Sequence, residues 1–209
     1  IAGYFTAVAN STYLDWLDEY MTMGNAVDGR KGTQQHIGRG KYMAEVTITP
    51  FNKKTTLDDV EIAAELQQQI DAGNLPKPDA ATLFMTYFPA GISITVDGMK
   101  SCHDFCAYHS FKGTVDAAHF FYGIMPDLGV MCSFGCGFGT SKFDSYTAIS
   151  AHEFIEAITD PFPTPGSNPA FPQAWNTTDG SEIGDLCASS GNNPLVTANM
   201  TYAVQSEWD

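Results

Sequence analysis

Four of the five cysteines fall into two short segments, Cys102 with Cys106 and Cys132 with Cys136, and this limits the folds open to the chain. A covalent staple removes conformations from the unfolded ensemble and decides which segments lie side by side. The tight spacing favours two local loops, Cys102–Cys106 and Cys132–Cys136, with cross-pairing between the segments as the alternative. A four-thiolate zinc knuckle is disfavoured by the three-residue gaps and by the extracellular character of the chain. The odd Cys187 is expected to find its partner beyond Asp209.

The remaining composition points the same way. A chain of 209 residues can bury one substantial core, and 44% hydrophobic residues argue against disorder. A single domain is expected, in which 1–100 supplies a sheet and helix part and 101–209 the disulfide loops and a metal site. Ten basic residues against 24 acidic ones leave a net charge of −14. Such a surface repels phosphate backbones and anionic lipid, so nucleic acid and membrane are both set aside as partners. No apolar run is long enough to span a bilayer, and the opening at Ile1 reads as a mature or trimmed form. Three Asn-x-Ser/Thr sequons, at Asn10, Asn176 and Asn199, add to the expectation of a secreted glycoprotein.

Periodicity predicts interleaved elements and an α/β or α+β layered domain with a mixed sheet. A strand is expected over 4–9. A helix over 12–21 follows, capped by Ser11 or Thr12, with Leu14, Trp16, Leu17 and Tyr20 on its buried side. A loop covers 22–40 and a strand about 41–48. The clearest helix starts at Thr56, with Asp59 in a capping-box position, and ends at Gly73. Strands are expected over 82–88, 92–96, 117–125 and 201–205, and an extended loop over 161–175.

The segment from Ser150 to Pro161 carries the chemistry. On a helix, His152 and Glu156 at i and i+4 share one face and can grip one metal ion. Glu153, adjacent to His152, sits where a zinc hydrolase of the His-Glu-x-x-His type keeps its general base, although the second ligand here is Glu. Asp144 or Ser145 is expected to cap this helix and Pro161 to stop it. Calcium is the alternative metal, held by oxygens of Glu156, Asp160, Glu182 and Asp185. A solvated helix face with a routine Asp160-Pro161 stop is the plain structural reading. His109 and Tyr122 are candidates for substrate contact by chemistry alone, and His109 reads more simply as a hydrogen-bonded structural histidine.

The Gly180 to Cys187 segment resembles the downstream part of zinc peptidases whose third ligand is Glu. That resemblance implies a zincin-like fold, Glu182 as third ligand and Asp185 as the partner that orients His152, with the two roles exchangeable; Asp160 is a further outer-shell candidate. Phe105 to Ser110, Tyr122-Gly123-Ile124 with Pro126-Asp127, Ser150 to Phe162 and Gly180 to Cys187 resemble the EXORDIUM-like, phosphate-induced group of secreted proteins and its microbial relatives. This implies an extracellular or cell-wall-associated protein. Two functions follow as expectations. One is a secreted zinc metallopeptidase acting on a peptide or protein. The other is a non-catalytic extracellular protein that binds wall glycan or a protein partner, through exposed aromatics such as Trp175 and Trp208.

Overall fold

The computed structural model describes all residues except 26–28, 33, 115–118, 130–131, 133–134, 137–140, 164–174, 178 and 209. Helix α1 spans Ala2–Val8, and a 3₁₀ helix follows over Thr12–Tyr20. Then come β1 (Thr56–Asp58), α2 (Asp59–Asp71), β2 (Leu83–Tyr87), β3 (Ser93–Val96), β4 (Met99–Lys100), β5 (Tyr108–Lys112) and β6 (Phe120–Met125). The last elements are α3 (Lys142–Thr159), α4 (Ile183–Cys187), β7 (Asn192–Val196) and β8 (Thr201–Gln205). The fold is α+β in character, and the mixed sheet expected from the sequence is divided into three small ones.

Two compact units share the chain: Ile1–Ala44 with Phe138–Asp209, and Glu45–Gly137. We call them the terminal and the central unit. In the central unit β3 pairs parallel with β1 and antiparallel with β4, while β6 pairs parallel with β2 and antiparallel with β5. Helix α2 starts where Asp58 accepts from the Val60 amide and Glu61 reaches back to the Asp58 amide. This capping box lies two residues later than expected, because Thr56 to Asp58 are drawn into pairing with β3. Ile62, Ala63 and Leu66 then pack on Ile94, Phe120, Tyr122 and Ile124. Each such Ile or Leu contributes about 1.5–3 kcal/mol by leaving water.

The disulfides join Cys102 to Cys132 and Cys106 to Cys136. The favoured local loops are therefore replaced by cross-pairing. The cause is topological: β5 and β6 run antiparallel with Tyr108 opposite Ile124. The segment before β5 and the segment after β6 thus emerge at one end of the hairpin, where their cysteines meet.

In the terminal unit the expected strand over 4–9 is helix α1, with Tyr4, Phe5 and Val8 buried at helical spacing. A short apolar run fits either element, and the neighbours decide. The next helix is of 3₁₀ type, with Ser11 as its cap. Leu14, Leu17 and Tyr20 recur every three residues and are all buried, which suits three residues per turn. That phase turns Trp16 outward to 68% exposure, against expectation. The strand expected over 41–48 is absent: no partner strand pairs with it among the described residues, and Met43 and Val46 are exposed. The loop expected over 161–175 lies mostly outside the described residues.

Leu14, Leu17, Tyr20 and Ile37 form the terminal core with Ile155 of α3 and Ile183 of α4. Helix α3 also packs along β8, which pairs antiparallel with β7. This packing brings three stretches that are distant in sequence, 152–156, 183–185 and 205–207, to one place.

Candidate metal centre

Helix α3 presents His152 and Glu156 one turn apart. Its N-cap is Ser141, whose hydroxyl accepts from the Asp144 amide, three residues before the cap expected from the sequence. Thr159 is its last residue, and Pro161 follows the C-cap Asp160. His152 Nε2 lies 3.0 Å from Glu156 Oε2 and 3.8 Å from Asp185 Oδ1. The ligand atoms of His152, Glu156 and Asp185 all lie within 4.8 Å of one another, close enough to hold a metal ion.

Each carboxylate is held from behind. The second oxygen of Glu156 accepts from the Asp185 amide at 3.2 Å, and Asp185 Oδ2 accepts from the Glu182 amide at 3.1 Å. Glu156 is buried whereas the Asp185 side chain is 49% exposed, so the group opens to solvent on the α4 side. Burial pushes the His152 imidazole down, but the bonded Glu156 carboxylate, with Glu153 and Glu207, more than reverses this and holds it well above its usual range.

The C-terminal strand completes the surroundings. The Gln205 amide nitrogen donates to the Gly184 carbonyl at 2.7 Å, and its nitrogen and oxygen lie 3.0 and 3.3 Å from His152 Nδ1. The single proton of the Tyr13 hydroxyl is shared between Glu207 Oε1 at 2.8 Å and the Gln205 carbonyl at 2.9 Å. The other Glu207 oxygen is buried with no hydrogen-bond partner among the described residues. Burial drives the Glu207 carboxyl up to about 8, opposed by His152 and Tyr13.

Gly184 packs closely against the side chains of this group. A Cβ there would lie 2.8 Å from both Glu156 Oε1 and His152 Nδ1 and 2.9 Å from Glu207 Oε2. One imidazole nitrogen and the two close carboxylates of Glu156 and Asp185 form a donor set suited to a divalent cation.

The sequence-derived candidates are distributed as follows. His152, Glu156 and Asp185 come together. Glu182 precedes α4 as its N-cap and does not join the group. Glu153 is buried on α3 next to His152, and Asp160 is buried at the C-cap, its amide donating to Glu156 O at 2.6 Å. His109 is buried on β5 opposite Gly123, in the central unit. Tyr122 donates to Asp59, as does Tyr108. Asn10 and Asn199 are exposed, while Asn176 is half-buried and bonded to the Thr177 carbonyl. Cys187 is outside both disulfides.

Gln205 and Glu207 were not foreseen. The sequence carries no trace of this: Gln205 follows Val204 as the polar position of an alternating strand, yet the structure buries both. No helix among the described residues is long and apolar enough to cross a membrane. No family model, curated protein or solved structure matches the chain.

Proposed function

We propose that the chain is a secreted, zinc-dependent hydrolase of peptide bonds with a zincin-like active centre. The observation that carries this reading is His152 Nε2 set between Glu156 Oε2 and Asp185 Oδ1 on an opening to solvent. His152, Glu156 and Asp185 would hold the metal, with Glu182 as the alternative third ligand. The imidazole favours zinc over calcium, which prefers an all-oxygen shell. When bound, the metal acidifies water and polarises a carbonyl. Glu153, next to His152 on α3, would take the proton of the attacking water and return it to the leaving amine. The excess of negative charge around His152 favours uptake of a cation, and the two disulfides suit an oxidising compartment. The resemblance to the EXORDIUM-like group supports the same location.

A second reading is a non-catalytic extracellular protein that binds wall glycan or a protein partner. It is favoured by one observation: the ion pair of His152 with Glu156 is already complete without metal. Trp208, 49% exposed, would then offer a face for sugar stacking.

Zinc content of the purified protein, read alongside casein cleavage by the wild type and Glu153→Gln, separates the two. The hydrolase binds stoichiometric zinc, loses activity on chelation and loses it again in Glu153→Gln with zinc retained. Zinc-independent cleavage, or full cleavage by Glu153→Gln, contradicts the mechanism. Asp185→Asn against Glu182→Gln identifies the third ligand by which variant loses zinc.

A further inference from the structure

We propose that Gln205 is the positioning residue of this centre, fixing the ring proton of His152 on Nδ1 so that Nε2 faces the metal; the inference rests on the zinc reading above. The amide orientation follows from its surroundings. A carbonyl oxygen only accepts, and Gly184 O lies 2.7 Å from one end of the Gln205 amide, so that end is the nitrogen. The amide oxygen, 3.3 Å from Nδ1, is then the acceptor open to a proton on Nδ1.

With that proton placed, the Nε2 lone pair points toward Glu156 Oε2 and Asp185 Oδ1. The space bounded by Nε2 and these two carboxylate oxygens suits a cation. The amide nitrogen also lies 3.0 Å from Nδ1, and its second hydrogen could be donated there only if Nδ1 were bare. That arrangement would put the ring proton on Nε2 and block the metal.

The amide is held firmly. Gln205 is 7% exposed, Tyr13 donates to its backbone carbonyl, and the Trp208 amide bonds Ile183 O beside it. The aligned strand therefore delivers a fixed acceptor to Nδ1, the role expected of Asp185 from the sequence. An outer-shell acceptor of this kind commonly changes metal affinity 10–100-fold.

The experiment is zinc titration by calorimetry of the wild type, Gln205→Ala and Gln205→Glu, with NMR of the ring N–H proton of His152 in the cobalt-loaded proteins. Gln205→Ala is expected to bind zinc about 10–100-fold more weakly and to lose the slowly exchanging Nδ1 proton signal. Gln205→Glu, which restores an acceptor for Nδ1–H but removes the donor to Gly184 O, is expected to recover most of the affinity. A merely structural tie to Gly184 predicts the reverse, with Gln205→Glu as weak as Gln205→Ala, and that result overturns the proposal, as does wild-type affinity in Gln205→Ala. Should the wild type itself bind no zinc, the zinc reading fails and this assignment of Nε2 fails with it. The ring ¹⁵N spectrum of the metal-free protein then reports separately whether Gln205 bonds Nδ1 at all.

Discussion

Both units bury carboxylates, and they balance them in opposite ways. In the central unit Asp59 accepts from Tyr108 at 2.8 Å and from Tyr122 at 3.0 Å, two neutral hydroxyls that themselves pack in the core. In the terminal unit Glu156, Asp185 and Glu207 gather around the imidazole of His152, and one Glu207 oxygen has no hydrogen-bond partner among the described residues. The first network is closed by neutral donors and reads as scaffold. The second gathers carboxylates about an imidazole and leaves a carboxyl oxygen unsatisfied among the described residues. A buried polar group left short of partners marks a site more reliably than the mere presence of charge.

The largest effect that sharpens this contrast lies in the scaffold. Each disulfide joins residues 30 apart, so Cys102→Ala with Cys132→Ala should cost about 3–4 kcal/mol in a denaturant titration. A change under about 1 kcal/mol would mean that the hairpin of β5 and β6 holds those segments together without a staple.

Next in size is Asp59→Ala, which leaves two tyrosine hydroxyls without their acceptor at about 1–3 kcal/mol each. Asp59→Asn should be milder, and it should also change the pH profile. Burial raises the Asp59 carboxyl above its ordinary value despite the two hydroxyls. The folded state therefore holds this proton more tightly, and stability falls as pH rises through the window between the ordinary and raised values. The Asn variant should lack that fall in thermal unfolding.

Gly184→Ala comes third for stability, about 1–3 kcal/mol from overpacking, but it should abolish tight zinc uptake because the methyl enters the space between Glu156, His152 and Glu207. Unchanged zinc affinity would show that the space beside Glu156 and His152 is not the metal centre. The smallest offset is expected from Glu207→Gln in the metal-free protein at acid pH, where the native carboxyl is already neutral. With its value raised from 4.5 to about 8, stability is fully present below the ordinary carboxylate range and is lost as pH rises through about 8. Glu207→Gln should remove that loss, so its advantage over the wild type grows with pH.

The contrast also explains what could be read in advance. Helix α3, its end at Asp160-Pro161 and the shared face of His152 and Glu156 follow from local spacing, as do β2, β3, β6 and β8 in outline. Asp97-Gly98, a two-residue turn with φ of 51° and 80°, was an available hairpin signal for β3 and β4 that was missed. The cross-paired cysteines, the 3₁₀ phase of Leu14, Leu17 and Tyr20, and the approach of Gln205 and Glu207 to His152 depend on which strands neighbour one another. The cysteine pairs join residues 30 positions apart, and His152 and Gln205 are 53 apart, so local periodicity carries no record of them.

The central claim is that the His152 cluster is a metal centre while the Asp59 network is not. Calorimetric zinc titration of the wild type, Glu156→Gln and Asp59→Asn tests it most directly. The account predicts one zinc per chain in the wild type and in Asp59→Asn, with binding lost in Glu156→Gln. Equal zinc binding by Glu156→Gln and the wild type, or none by any of them, would contradict it.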